Sequence, residues 1–240
     1  MKRVTYRRLK EALSGGGTFL LTSHIQLDAD SVASELARVI EEWGGRAIIV
    51  NQDPVPRFLR WLPRVERVMT IADVDGKLRA DTAVLLDVGK WERMGKVTDL
   101  VASARNVVNI DHHSSNNGFG DLSLVDTRSS STGEILYWFL KGVGYRFDKE
   151  MALLLLTAIY TDTGRFSYDN VTPRTLRAAA DLLSKGVRPR QIVEPVYRNA
   201  TKEQLALQAR ALASLDVTPD GRIAWVVLRW RDFEETGGTP

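Results

Sequence analysis

Four apolar runs in this chain each lead to an acidic or imidazole side chain. Thr18-Phe19-Leu20-Leu21-Thr22-Ser23 runs into His24, Ala83-Val84-Leu85-Leu86 into Asp87, and Val107-Val108-Asn109-Ile110 into Asp111, while Leu153-Leu154-Leu155-Leu156 precedes Asp162. The first three read as buried strands, and the stretches between them carry apolar residues at helical spacing. Strands alternating with helices predict an α/β fold built on a parallel, doubly wound sheet. Loops from distant parts of such a chain meet at the carboxyl ends of its strands, which is where these polar groups fall.

The spacing predicts strands over Thr18–Ser23, Arg46–Asn51, Thr82–Val88 and Val107–Ile110, with a shorter one over Val65–Thr70. Helices are expected over Ser31–Trp43, stopped by Gly44-Gly45, and near Trp91–Ala104, with a short helix or turn at Phe58–Trp61. After Ser129 the pattern turns helical, over Ser131–Leu140, Lys149–Tyr160, Pro173–Lys185 and Pro189–Tyr197. Asn199-Ala200-Thr201 is the best linker candidate, with Thr201 suited to cap a helix over Lys202–Leu215 before a strand at Ile223–Leu228. The expected division is therefore a first domain over residues 1–198 and a second segment over 199–240, too small for an independent core.

Composition removes several function classes. The chain has no cysteine, which excludes disulfides, thiolate catalysis and Cys-ligated metal sites. No apolar run approaches the roughly 20 residues that span a bilayer, and Met1-Lys2-Arg3 leads into a charged segment instead of a signal core, so a cytoplasmic protein with no membrane partner is expected. The net charge of +3 is small, and nothing in it demands a long nucleic-acid groove.

All three histidines stand beside aspartates: His24 opens His24-x-x-x-Asp28-x-Asp30, and His112 and His113 follow Asp111. Each segment alone has a plain structural explanation. Asp28 or Asp30 suits a helix cap, Asp111-His112-His113 a polar turn, Asp87 a strand-terminal surface carboxylate and Asp162 a solvated helix end. Their occurrence in order, each after an apolar run, points instead to a metal site. Hard oxygen donors mixed with imidazole suit Mn²⁺, with Mg²⁺ and Co²⁺ as alternatives.

These segments resemble the four N-terminal motifs of the DHH phosphoesterase superfamily, matching Ser23–Ser34, Asp87, Asp111–His113 and Thr161–Gly164 in order and spacing. Thr161-Asp162-Thr163-Gly164-Arg165-Phe166 and the downstream Thr172–Gly186 are most similar to the NrnA-like oligoribonuclease and phosphoadenosine phosphatase subfamily. The resemblance implies that His24, Asp28 and Asp87 hold one divalent cation and Asp30, Asp87, His112 and Asp162 a second, with Asp87 bridging. It further implies a hydroxide nucleophile activated by two metals, His113 on the phosphate side, and Asp111 orienting a histidine from behind the ligands. Ser131 and Thr132 match a family segment near the substrate, although helix capping explains them equally well.

Two departures stand out. Leu27 and Ala29 occupy positions where the family usually has Pro and Gly, which bears on loop geometry alone. The residues after Thr201 resemble only the beginning of the family's DHHA1 domain, and Gly237-Gly238 lacks the histidine of its glycine-rich substrate motif, so a truncated second domain is expected. The implied function is metal-dependent hydrolysis of short oligonucleotides, dinucleotides or 3'-phosphoadenosine 5'-phosphate. Other phosphohydrolases of the superfamily stay open as alternatives: a pyrophosphatase, an exopolyphosphatase, a cyclic-dinucleotide phosphodiesterase or a RecJ-like exonuclease. So does a non-catalytic nucleotide-binding module. A homodimer is left open.

Overall fold

The computed structural model describes residues 5–30, 36–75 and 78–238. Compactness divides the chain into a larger unit ending at Ile192 and a smaller one beginning at Val193. In the larger unit, β1 (Thr18–Thr22), β2 (Arg46–Asn51), β3 (Val68–Thr70), β4 (Thr82–Leu86), β5 (Asn106–Asp111) and β6 (Leu122–Val125) form one sheet in the order β3-β2-β1-β4-β5-β6. Every neighbouring pair is parallel.

This is the doubly wound α/β fold that the alternating pattern predicts. The chain leaves β1 toward β2 and β3, then returns to the other side of β1 for β4, β5 and β6. Loops after β1 and β4 therefore diverge and open a crevice at the carboxyl ends of the strands. Strand β4 is buried at all five positions, which explains its unbroken apolar run: a central parallel strand is covered on both faces. Its Ala83 and Leu85 join Leu20, Val50, Met94, Val97 and Val101 in one core cluster.

Helix α1 (Tyr6–Leu13), absent from the sequence reading, buries Leu9 and Leu13 and is capped by Thr5, whose side chain accepts from the Arg8 amide. Of the helix expected over Ser31–Trp43, residues 31–35 lie outside the described residues, and α2 spans Ala37–Glu42. The helix expected over Trp91–Ala104 is a 3-10 segment, Trp91–Val97, followed by the short α3 (Thr98–Ala102). Gly95 breaks it with φ +62°, a backbone state that glycine adopts without steric cost.

The helical second half contains α4 (Thr132–Gly142), α5 (Lys149–Asp162), α6 (Pro173–Ser184) and α7 (Arg190–Tyr197). Helix α4 packs on β5 and on α5. Ser131, Asp148 and Thr172 cap α4, α5 and α6, each accepting a backbone amide three residues on.

The smaller unit holds α8 (Lys202–Ala213), the antiparallel pair β7 (Asp216–Val217) and β8 (Ala224–Trp225), and α9 (Trp230–Thr236). Thr201 caps α8 in a capping box with Gln204, as its sequence suggests. No described residue from Val193 on is buried, in keeping with a segment too short to enclose a core. The strand expected over Ile223–Leu228 shrinks to Ala224–Trp225, because only these two residues find a pairing partner.

Candidate metal centre

The carboxyl ends of β1, β4 and β5 deliver most of the candidate ligands. His24 lies two residues beyond β1, Asp87 directly follows β4, and Asp111 ends β5 with His112 after it. Asp162 comes from elsewhere, as the last residue of helix α5. The segment after β1 alternates: Leu27 and Ala29 are buried in a cluster with Leu154 and Ala158 of α5, and each is followed by an aspartate, Asp28 and Asp30. The two residues that depart from the usual Pro and Gly thus anchor the loop by burial.

Asp87 sits at the centre. Its Oδ2 lies 3.3 Å from His24 Nε2, and its Oδ1 lies 3.5 Å from His112 Nε2. His24 Nε2 is also 3.4 Å from Asp28 Oδ2, and His112 Nε2 is 3.3 Å from Asp162 Oδ2. Asp87 adopts φ +62°, a left-handed state uncommon outside glycine but tolerated by aspartate, and its amide donates to the Ile110 carbonyl of β5 at 3.0 Å. The Thr132 hydroxyl donates to Asp87 Oδ1 at 3.0 Å, which leaves the carboxylate little rotational freedom.

Asp30 is fully buried and accepts the amides of Thr132 at 2.7 Å and Gly133 at 2.8 Å, so the amino end of α4 offsets part of the cost of burying it. Ser131 and Thr132 are likewise fully buried. Ser131 takes the capping role that its sequence left open, and Thr132 contacts two aspartates of the site. Gly133 is where it is for steric reasons: a Cβ there would stand 2.5 Å from Ala158 Cβ and 3.2 Å from Asp30 Oδ1.

Second partners fix the imidazoles. His24 Nδ1 lies 2.6 Å from the Ile25 carbonyl, which directs an Nδ1 proton there and fixes the ring with Nε2 facing Asp28 and Asp87. His113 Nδ1 donates to Asp111 Oδ1 at 2.8 Å, which leaves its Nε2 for other partners. Asp111 Oδ1 also accepts the His112 amide at 2.8 Å, and Oδ2 accepts the Asn116 amide group at 2.7 Å. Asn116 reaches the Val88 carbonyl as well, at 3.1 Å, tying the β5 loop to the β4 loop.

Charge at the site is out of balance in one direction. Burial, then the charges of Asp87, Asp162 and Asp28, raise the Asp30 carboxyl well above the usual carboxylate range. Burial, then Asp87 and Asp28, push Asp162 up to about 7. Burial opposes protonation of His24, yet bonds to Asp28 and Asp87 outweigh it and push the imidazole up to about 10. Burial holds His112 down, in the neutral form that a metal ligand requires.

Crowded carboxylates with neutral imidazole among them are what divalent cations offset. Donor atoms in three sets lie within 4.8 Å of one another: His24 with Asp28 and Asp87, Asp30 with His112 and Asp162, and Asp87 with His112 and His113. In the last set His113 already spends Nδ1 on Asp111, so the first two sets fit ions better. A cavity of about 270 Å³ opens beside them, lined by His24, Asp87, Gly89, Lys90, Arg93, His113 and Ser115. Sequence reasoning missed Lys90, Arg93 and Asn116, because none belongs to a periodic or clustered pattern and only the folding of two loops brings them here.

An open parallel sheet with carboxylate and imidazole donors at its switch point defines the class: an α/β domain whose site fits divalent cations. The chain belongs to the DHH family, whose N-terminal domain matches residues 18–159. It is 35% identical over 181 residues to the bifunctional oligoribonuclease and PAP phosphatase NrnA of Thermus thermophilus, covering 74% of this chain and 53% of that one. To NrnA of Bacillus subtilis it is 27% identical over 187 residues, 75% of this chain and 57% of the other. The chain thus spans about half the length of the curated relatives it matches. In fold it is similar to an exopolyphosphatase-related protein from Bacteroides fragilis, with a TM-score of 0.90 at 22% identity over 98% of this chain and 72% of that one.

Proposed function

We propose that this chain is a metal-dependent phosphoesterase that hydrolyses short oligonucleotides or a nucleotide phosphate such as 3'-phosphoadenosine 5'-phosphate. The observation that carries the reading is the split carboxylate of Asp87, one oxygen beside His24 and the other beside His112. A carboxylate so placed suits two cations, with His24, Asp28 and Asp87 on one side and Asp30, His112 and Asp162 on the other, where Asp87 Oδ1 beside His112 would complete the set. Two divalent ions, Mn²⁺ for this donor set, would supply when bound an acidified water and a clamp on phosphoryl oxygens.

The chain's own residues do the rest. Lys90 and Arg93 in the cavity wall offer positive charge to a phosphate. His113, its Nδ1 held by Asp111, is oriented to donate or share a proton at the leaving oxygen. Its bond to Asp111 and the field of Asp87 favour its protonated form. Thr132 and the amides opening α4 keep Asp87 and Asp30 in place. The names of the Thermus and Bacillus relatives support the choice of substrate class.

The test is a Mn²⁺-supplemented assay of the purified chain across dinucleotides, phosphoadenosine phosphate, cyclic dinucleotides, pyrophosphate and an aryl phosphoester. The reading expects hydrolysis of nucleotide substrates or of the aryl ester that chelation abolishes. Turnover of pyrophosphate alone would refute the substrate class, and inertness toward every substrate would refute the enzyme.

A further inference from the structure

The cavity beside the metal centre has a neighbour. A second cavity of about 280 Å³ shares Gly89, Lys90 and Ser115 with the first and is lined further by Trp91 and Phe119, with Glu92 and Asn117 in its wall. Its origin is topological. Strands β4 and β5 are adjacent and parallel, so their following loops leave the sheet at the same edge, one carrying Gly89–Glu92 and the other Ser115–Phe119. The two loops close on each other at Gly89, where an added Cβ would stand 3.3 Å from His113 Cβ and 3.4 Å from Ser115 Oγ.

The chemistry of the second cavity differs from that of the first. Trp91 and Phe119 meet edge to face with ring centroids 5.9 Å apart, and both also pack against the apolar core, so the aromatic wall is rigid. Ser115 and Asn117 offer donors and acceptors, and Glu92 offers a carboxylate. A carboxylate in the wall disfavours a second phosphate there, whereas it accepts from a ring N–H or exocyclic amine. Each cavity is near the lower end of ligand-site volumes, about 300 Å³, so the first suits one phosphoryl group and the second one planar ring.

We infer that the second cavity is a nucleobase subsite, which takes the base of a nucleotide whose phosphate lies at the metal centre, with Lys90 at the junction. This rests on the phosphoesterase reading and deepens it. A subsite of this kind favours nucleotides over inorganic pyrophosphate or polyphosphate, because rings and a carboxylate replace the basic lining that a chain of phosphates needs.

Two measurements on the whole chain test it. The first compares inhibition of aryl phosphoester hydrolysis by adenosine 5'-monophosphate and by ribose 5-phosphate. Base stacking on an aromatic wall predicts that the nucleotide inhibits at concentrations about tenfold lower. Asn117→Trp, which fills the cavity from an exposed loop position, should bring the two inhibitors to the same level. The second follows tryptophan fluorescence directly: the nucleotide should quench wild-type emission, and Trp91→Phe should lose most of that quench while the inhibitory advantage remains. Equal inhibition by both compounds in the wild type, or an advantage undiminished in Asn117→Trp, would overturn the subsite. Absence of any ester hydrolysis would instead refute the phosphoesterase reading, and quenching by the nucleotide would still support the subsite.

Discussion

Gly133 donates its backbone N–H to buried Asp30 across 103 positions of sequence, at 2.8 Å, and it does so because it has no side chain. A Cβ at this point would be 2.5 Å from Ala158 and would press on the Asp30 carboxylate at 3.2 Å. Helix α4 can approach α5 and the β1 loop together only through glycine.

Gly133→Ala should accordingly cost about 1–3 kcal/mol of stability, the usual penalty of overpacking, and should weaken cation binding on the Asp30 side. Denaturant unfolding and Mn²⁺ titration of the same protein check both. An alanine variant with wild-type stability and affinity would show that the helices shift without cost.

His112 and His113 are neighbours with separable duties. His112 Nε2 faces Asp87 and Asp162, whereas His113 Nδ1 is committed to Asp111. His112→Ala should lower Mn²⁺ affinity by about 10-fold or more, with turnover following metal occupancy. His113→Ala should keep the metal and lose kcat at saturating Mn²⁺ by about 10²-fold or more, the range of a lost acid–base partner. Equal loss of metal affinity in the two variants would contradict this division.

Asn116 acts one shell further out, through Asp111 Oδ2 and the Val88 carbonyl. Asn116→Ala should lower kcat by about 10-fold, as loss of an outer partner does, while KM and metal stoichiometry stay near wild type. Steady-state kinetics at saturating Mn²⁺ make the measurement. A loss confined to KM would assign Asn116 to substrate contact.

Away from the site, Asp181 bonds Lys141 at 2.9 Å and Tyr137 at 2.7 Å, and these partners hold its carboxyl down at about 2 against an ordinary 3.8. A depressed folded value stabilises the protein above the ordinary carboxylate pKa, and that contribution is lost as pH falls from about 4 toward 2. The pair is largely solvated, so the contribution is under about 1 kcal/mol. Asp181→Asn should shift the urea midpoint slightly at pH 7 and leave no difference from wild type near pH 2; a difference that persists unchanged at pH 2 would assign the effect to packing.

Much of this architecture was legible because apolar runs ending in Asp or His leave little choice: a buried strand must stop where its polar group begins. The parallel sheet and the helical second half follow from that pattern, and so does the gathering of His24, Asp87 and His112 at strand ends. Asp162 was legible as a candidate but not as a helix end that reaches in, since its place depends on α5 packing against the β1 loop through Leu154, Ala158, Leu27 and Ala29. Strand β6 was missed because Leu122-Ser123-Leu124-Val125 is short and lies at the sheet edge, where burial imposes a weaker pattern. The kink at Gly95 and the role of Gly133 were hidden for one reason: a glycine's purpose is set by what surrounds it, and sequence spacing does not report that.

The most direct test of the account is a calorimetric Mn²⁺ titration of the wild-type chain and of Asp87→Asn, with hydrolysis measured on the same samples. Because the two oxygens of Asp87 face His24 and His112 separately, the account predicts two ions per wild-type chain, weakened binding of both in the variant, and turnover reduced nearly to background. A single ion in active wild-type protein, or wild-type turnover in Asp87→Asn, would contradict it.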